Sequence, residues 1–344
     1  MRSTPPNNVH HTSQFSRRQF LAFTGAVALA GCATGAGSKP VPSVAFLLPG
    51  RIDDGGFIEA GYNGLKKVAE QYGAKTSYID QVKPEVPLLA DALRKLAAQK
   101  PGLIVAHGGQ NTPAVEIVAK EFPDLQFVVV QGSKAAGNVT SYEVLQEDSA
   151  WLAGAAAGLL TKSNVVGHIS GIRVVPGLKG RAAYAAGVKH TNPNARLLTN
   201  FCGTQDDVAR AKQVALAEIN AGADVIFTML NAGRGGATQA CREKGAKQIG
   251  NVRDWYPDAP DVFIASAIAD VSLGAPQALG DILAGRFRPG SFNRIGLENT
   301  GAVRLALAPQ VPKSVVDEVE KLRQAIVAQK IKVVTEYSGP EFEA

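Results

Sequence analysis

The side chains best placed for chemistry are carboxylates, amides and one aromatic ring that follow short apolar runs. Asp53-Asp54-Gly55-Gly56-Phe57 comes directly after the run Val44–Leu48 and directly before a helical pattern over Ile58–Tyr72. It reads as a strand-to-helix turn. Two carboxylates there can cap the helix and complement its dipole, or accept from the N–H groups of a ligand. The two glycines permit φ > 0 and close backbone approach, and Phe57 offers an aromatic face at the mouth of the first βα unit, where open α/β sheets bind ligands. A second pair, Asp206-Asp207, opens another long helical pattern, where capping is the expected role. Carboxylates adjacent in sequence point in different directions more often than they share a proton, so neither pair reads as an acid–base dyad.

The loops after other apolar runs are small and polar. His107-Gly108-Gly109-Gln110-Asn111-Thr112 follows the third run, and Asn231-Ala232-Gly233-Arg234-Gly235-Gly236 follows an equivalent run in the second half. Neither ends in the Gly-Lys-Ser/Thr of a phosphate loop, and neither completes GxGxxG with an acidic residue about 20 positions on. Their glycines let backbone N–H groups line a cleft, while Gln110, Asn111, Asn231 and Asp254 offer donors and acceptors to a polar heterocycle. Gln146 and Gln205 are further candidates by their strand-end positions. Trp255, beside Asp254, is a candidate second stacking face; Trp151 reads as helix packing and Arg181 as a solvated charge. No GxSxG elbow, HExxH, serine–lysine or CxxC motif occurs, and His107, His168 and His190 lie far apart. The sequence thus points to a binding protein with no cofactor and no metal, not to an enzyme.

These residues need a scaffold, and the chain supplies two βα arrays. The first runs Val44–Leu48, Ile58–Tyr72, Lys75–Ile79, Pro87–Gln99, Gly102–Ala106, Pro113–Phe122, Gln126–Gln131 and Val139–Val144. In the helix at 87–99, Leu88, Leu89, Ala92, Leu93 and Leu96 share one face. The second array runs Ser149–Leu160, Val165–Ser170, Lys179–His190, Arg196–Asn200, Asp206–Ala221, Val225–Leu230, Gly236–Lys244 and Gln248–Val252. A strand at Val262–Ile268, a helix at Val271–Ala284 and a last amphipathic helix at Val315–Ala328 before Ile331–Glu336 complete the pattern. Strand runs are continuously apolar, as in parallel strands buried on both faces. The expectation is a doubly wound α/β protein of two lobes, 43–144 plus 265–300 and 145–264 plus 301–344, with crossovers near 144, 265 and 300.

A length of 344 residues fits two lobes, and 45% hydrophobic content with 36 glycines and 6% aromatics fits an α/β chain rather than disorder. The formal charge of +6 includes Arg2, Arg17 and Arg18; without residues 1–31 there are 33 Lys+Arg against 30 Asp+Glu, a charge of +3. With no Lys/Arg cluster, nucleic acid is not an expected partner. Residues 1–31 read as an address. Ser16-Arg17-Arg18-Gln19-Phe20-Leu21 has the twin-arginine pattern, and Leu29-Ala30-Gly31-Cys32 matches a lipobox. The apolar run Phe20–Gly31 has 12 residues, short of the roughly 20 that span a bilayer. The mature chain is expected to begin at a lipidated Cys32, with 32–42 as a flexible tether, at the periplasmic face of the cell envelope. Export there leaves open a disulfide between Cys202 and Cys241.

The order of motifs resembles the basic membrane protein family, the purine-nucleoside-receptor type of ABC-transporter substrate-binding lipoproteins. The resemblance runs through Asp53–Phe57 with Ala60-Gly61-Tyr62-Asn63-Gly64-Leu65, Gln146–Gly154, Gly203–Asp207, Gly222–Phe227 and Ile249–Asp254, covering nearly all of 43–337. It implies a type I periplasmic-binding-protein fold, two Rossmann-like lobes joined by a three-crossover hinge, closing as a monomer on a nucleobase or nucleoside that passes to an ABC permease. Carried over by position, Phe57 becomes the stacking ring, Asp53 or Asp54 a polar contact beside it, and Asp254 the second-lobe carboxylate. The expected ligand-side set is Asp53, Asp54, Phe57, His107, Gly108, Gln110, Asn231, Asp254 and Trp255. Three positions depart from the family pattern. Ile58 stands where many relatives have Asn, the loop at 107–112 lacks the usual aromatics and Asp, and Ala269-Asp270 replaces a common lysine. A free base is therefore as compatible as a nucleoside. A sensory receptor of the same fold is the alternative reading, and an exported nucleoside hydrolase a remote one.

Overall fold

In the computed structural model residues 42–344 are described, so the address segment, Cys32 and all but the last residue of the 32–42 tether lie outside the described residues. Two six-stranded sheets organise the chain. The first holds β1 (Val44–Leu48), β2 (Thr76–Asp80), β3 (Leu103–His107), β4 (Phe127–Val130), β5 (Val139–Val144) and a late strand, β11 (Phe292–Ile295), in the order β11-β5-β4-β3-β1-β2, all parallel. The second holds β6 (Val165–Ser170), β7 (Arg196–Phe201), β8 (Val225–Met229), β9 (Lys247–Val252), β10 (Phe263–Ala269) and β12 (Val303–Leu307), in the order β12-β10-β9-β8-β6-β7. Only β12 is antiparallel, against β10.

Strands β1, β3, β4, β8 and β10 are buried at every position, as their largely apolar sequences require when helices cover both faces. Helices α1 (Phe57–Tyr72), α2 (Val86–Ala97), α3 (Thr112–Glu121) and α8 (Gly274–Leu283) cover the first sheet. Helices α4 (Gln146–Leu160), α5 (Val175–Thr191), α6 (Val208–Asn220), α7 (Arg234–Lys244) and α9 (Lys313–Val327) cover the second. Helix α4 buries nearly its whole circumference, with Trp151 only 2% exposed. It meets α5 at backbone contact: a Cβ on Gly154 would lie 2.0 Å from the Tyr184 carbonyl oxygen, and one on Gly187 would lie 2.0 Å from that of Trp151. Any larger residue at either position forces the helices apart.

The chain passes between lobes after Val144, after Ala269 and between Ile295 and Val303. The second passage lies past the expected 265, because β10 stays in the second sheet to its end, pairing Ile268 with Val252 and Ala269 with Val303. Strands β11 and β12, absent from the sequence reading, are edge strands that bury few side chains. Ile331–Glu336 joins no sheet. The chain then runs to the outer strand of the second lobe, where the Phe342 N–H donates to the Thr199 carbonyl and the Asn200 amide donates to the Phe342 carbonyl. Glu341 there accepts from both Arg173 and Arg181. Among the described residues Cys202 and Cys241 are both free and buried.

Candidate functional site

The C-terminal ends of both sheets face each other across a cleft of about 790 Å³. Its walls are the loops after β1, β3 and β4, the start of α4, and the loops after β6, β7, β8 and β9. That is where doubly wound sheets place ligands, because helix N-termini and free backbone N–H groups converge there.

Asp53, Asp54 and Phe57 of the turn into α1 line this cleft. Gly55 takes φ +62°, which the turn into α1 needs. The Asp54 carboxylate accepts from the N–H groups of Gly56 (2.8 Å), Glu59 (3.0 Å) and Ile58 (3.1 Å), so it caps α1. Burial raises its pKa, and these three donors oppose the rise. It also accepts from the Asn231 side-chain amide at 3.0 Å, while the Asn231 carbonyl oxygen accepts from the Phe57 N–H at 3.3 Å. Arg234 completes this bridge between the lobes by donating to the Gly55 carbonyl at 3.0 Å. Gly56 makes the approach feasible, since a Cβ there would lie 2.6 Å from the Asn231 oxygen. Asp53 is exposed at the rim and pairs with Arg51 at 2.9 Å, which holds its pKa below the usual value.

Phe57 is half-buried and faces the cleft. His107 stands behind it, with ring centroids 4.5 Å apart and planes tilted by 38°, and its Nε2–H donates to the Phe57 carbonyl at 2.9 Å. Burial lowers the His107 pKa to about 4, so the imidazole is neutral and acts as a support for the ring, not as a wall of the cleft. Gly108, at φ +109°, also lies behind the wall, where Gln110 folds across it. Gln110 itself reaches the cleft, as do Gln146 and Gln205. Asn111 ties the loop by donating to the carbonyls of His107 and Gly108 at 2.9 and 3.0 Å.

Asp254 and Trp255 stand elsewhere. Asp254 borders a separate groove of about 480 Å³ beyond the Asp54–Asn231 bridge, and its carboxylate accepts from the Tyr256 N–H and the Ser266 hydroxyl. Trp255 is 7% exposed and donates to the Asn251 carbonyl at 2.7 Å. Arg234 and Arg253 lie over its ring at 3.0 and 3.4 Å from the centroid, so the stacking face expected for a ligand is taken by guanidinium groups. Burial and the neighbouring Arg253 lower the Arg234 pKa to about 9. In the same groove Asp270 pairs with Lys67 at 3.0 Å, so a first-lobe lysine sits beside the position where the family pattern has one in the second lobe.

The second-lobe wall contains residues that the sequence reading passed over: Ser170, the Ile172–Gly177 segment, Met229 and Asn251. Ser170, Pro176 and Gly177 are polar or kinking residues at or after the end of β6; Ile172, Met229 and Asn251 carry no such mark. A buried hydrogen-bond chain leads from Thr199 through His168 to Ser170, at 2.9 and 3.0 Å, and burial lowers the His168 pKa to about 3. Val252, at the end of β9, has φ +71°, a left-handed conformation that a β-branched residue adopts only under constraint from its surroundings.

The family described as Bmp, ABC transporter substrate-binding protein PnrA-like, matches residues 41–336. This chain belongs to it. A solute-binding protein of an Aeropyrum pernix ABC transporter system shares the fold with a TM-score of 0.75 at 20% identity, over 87% of this chain and 94% of that one. The Bmp chain is also 25% identical over 309 residues to the transcriptional activator protein med of Bacillus subtilis, covering 89% of this chain and 95% of the relative. A purine-binding protein of Brucella abortus is 24% identical over 300 residues, covering 86% and 83%. The two-sheet, two-lobe architecture is that of a type I periplasmic binding protein. This Bmp protein is an ABC-transporter solute-binding protein, and its family binds rather than catalyses.

Proposed function

We propose that this protein is a lipid-anchored receptor, attached through Cys32 at the periplasmic face of the cell envelope, that captures a purine-like nucleobase or nucleoside between its lobes and passes it to an ABC permease. The observation that carries the ligand class is Phe57, a half-buried ring on the cleft wall, backed by neutral His107 and ringed by side-chain amides. A flat apolar face beside donors and acceptors suits a heteroaromatic ring, whose stacking contributes on the order of 1–3 kcal/mol. The purine-binding relative in Brucella abortus supports the same reading. Lobe closure then traps the ligand, and the bridge of Asp54 and Gly55 to Asn231 and Arg234 is a contact that holds the closed form. Calorimetric titration with purines, pyrimidines and nucleosides tests the ligand class after any retained ligand has been removed by unfolding; no heat with any member of the panel overturns it.

The Bacillus relative, whose printed name is a transcriptional activator, supports a second reading as a ligand sensor. Uptake of labelled adenine by cells lacking the gene separates the two: lost uptake supports import, and unchanged uptake with altered transcription supports sensing.

A further inference from the structure

The first and third passages between the lobes run side by side. The Leu145 N–H donates to the Ile295 carbonyl at 2.9 Å. Beside it, a Cβ on Gly296 would lie 2.8 Å from a Glu298 carboxylate oxygen, 2.9 Å from one of Asp148 and 3.1 Å from the Leu145 side chain. Two carboxylates, one from each passage, therefore crowd the same point. Close by, Glu143 of β5 and Glu147 in the first turn of α4 both accept from Lys179 of α5, at 2.5 and 3.2 Å, which ties the first lobe to the second.

Four carboxylates share two cations at this corner, since Lys179 serves Glu143 and Glu147 while Arg294 of β11 reaches only Glu143, at 3.4 Å. Asp148 and Glu298 have no salt bridge among the described residues. The other elements packed on α4 bring no counter-charge. Arg323 of α9 pairs with Glu320 and donates to the Leu297 carbonyl, and Arg304 of β12 donates to the carbonyls of Thr300 and Gly301. Lys247 of β9 donates to the Asp261 carbonyl, and β8 and β10 carry no charged residue. On α5, Arg181 is held by Glu341, and His190 lies against Trp151, one turn along α4 from Asp148. Like charges crowded in a partly dry site favour holding a proton. Burial first, and then the charge of Glu147, push the Asp148 carboxyl up to about 7; Glu298 and Glu143 add to the rise, and the Leu297 backbone opposes it.

We propose that this corner is a proton-operated hinge: with a proton held between Asp148 and Glu298 the two passages stay together and the bridged arrangement of the lobes is favoured, and without it repulsion loosens the corner and favours opening. Glu143 and Lys179 carry the change across, because they join β5 to α5. The inference rests on the lobe closure proposed above and not on the ligand class. Its sign follows from where the proton binds more tightly. An Asp148 carboxyl released into solvent returns toward its ordinary 3.8, so proton uptake favours the bridged form, and that bias is lost as pH rises through about 7. Between pH 8 and pH 6 the ratio of bridged to open protein rises by up to about tenfold.

The test uses the full-length protein in detergent, with spin labels on cysteines introduced at the exposed positions Lys83 of the first lobe and Gln213 of the second. Interlobe distances are read without ligand at pH 6, 7 and 8. The short-distance population is expected to gain on the long one by up to about tenfold from pH 8 to pH 6. Asp148→Asn, neutral at every pH, is expected to keep the short distance throughout, and Glu298→Gln, at an exposed side chain, to move the transition to lower pH. A merely structural Asp148 gives another pattern, a lower melting temperature with the pH response of the distances intact. Identical distances at pH 6 and pH 8 overturn the proposal. So does an Asp148→Asn variant that responds to pH as the parent does, which would pass the effect to His190 or another group. Should Asp148→Asn not fold, an unshifted transition in Glu298→Gln overturns it instead. Distances that respond as expected while no purine, pyrimidine or nucleoside binds overturn the ligand class and leave the hinge standing.

Discussion

The two lobes share a six-stranded plan but differ in what they bury. Among the buried acidic and basic side chains of the described residues, the first lobe holds only His107, whereas Glu147, His168, Arg181, Glu218 and Arg234 belong to the second. The first lobe presents an aromatic ring on an apolar, neutral foundation. The second carries most of the buried ionisable groups, a strained Val252 and the loops that the Phe57 platform faces. The difference suggests a division of labour, in which one lobe supplies a rigid surface and the other supplies the polar and adjustable side of the cleft.

That contrast can be broken first with acid. His107 and His168 are neutral in the fold and take up a proton on unfolding below their ordinary 6.5. The stability they confer is complete above that pH and is lost as pH falls toward about 4 for His107 and about 3 for His168. Each is expected to contribute on the order of 3 kcal/mol over its window, seen in chemical denaturation between pH 7 and pH 4. A flat profile would remove the buried neutral imidazoles from the account.

Glu218, in the second lobe, acts in the opposite sense. Neither carboxylate oxygen has a partner, and burial pushes its pKa far above the ordinary 4.5, so it is protonated in the fold and ionised when unfolded. Stability is therefore present at low pH and declines as pH rises above 4.5, by up to about 1.4 kcal/mol per pH unit. Glu218→Leu is expected to lessen the decline, leaving the part owed to Asp148, Glu147 and Asp54, whose pKa values burial also raises, and to raise stability at pH 8 by about 2 kcal/mol; calorimetric melting at pH 6 and 8 checks it.

The first-lobe platform is probed by Phe57→Ala, expected to weaken ligand binding by about 1–3 kcal/mol with little change in melting temperature. Unchanged affinity would return the turn to a capping role alone. The smallest effect separates two valines at strand positions. Val129→Gly, in an ordinary conformation of the first sheet, loses its full packing, whereas Val252→Gly also relieves its left-handed backbone. The second is expected to be milder by about 1–2 kcal/mol in urea denaturation, and equal costs would show that Val252 carries no strain.

Much of this architecture was legible because buried parallel strands are written as short runs rich in β-branched and apolar residues. Val44–Leu48, Val139–Val144 and Val165–Ser170 were bounded to the residue. The edges were not. Phe292–Ile295 mixes Asn293 and Arg294 into an edge strand, and nothing in the fully buried β10 marks which sheet it serves, so the second passage lies later than the pattern suggests. Within the cleft, strand-end position identified Phe57, Gln110, Gln146, Gln205 and Asn231 as wall residues. It did not distinguish walls from supports. His107 backs a ring, and Trp255 is covered by two arginines from different elements, a pairing set by tertiary contact rather than by spacing. Asn251 was hidden inside a strand pattern that also contains the amide of Gln248, so nothing set it apart.

The return of the chain to β7 has a consequence for solubility. An outer strand of a buried sheet exposes a row of N–H and C=O groups that can recruit a strand from another molecule. Phe342 bonds to Thr199 and Asn200 on that edge, while Glu341 fastens the same segment to Arg173 and Arg181. The segment that steadies the rim of the cleft thereby also shields an aggregation-prone border, coupling orderly ligand capture to resistance against self-association.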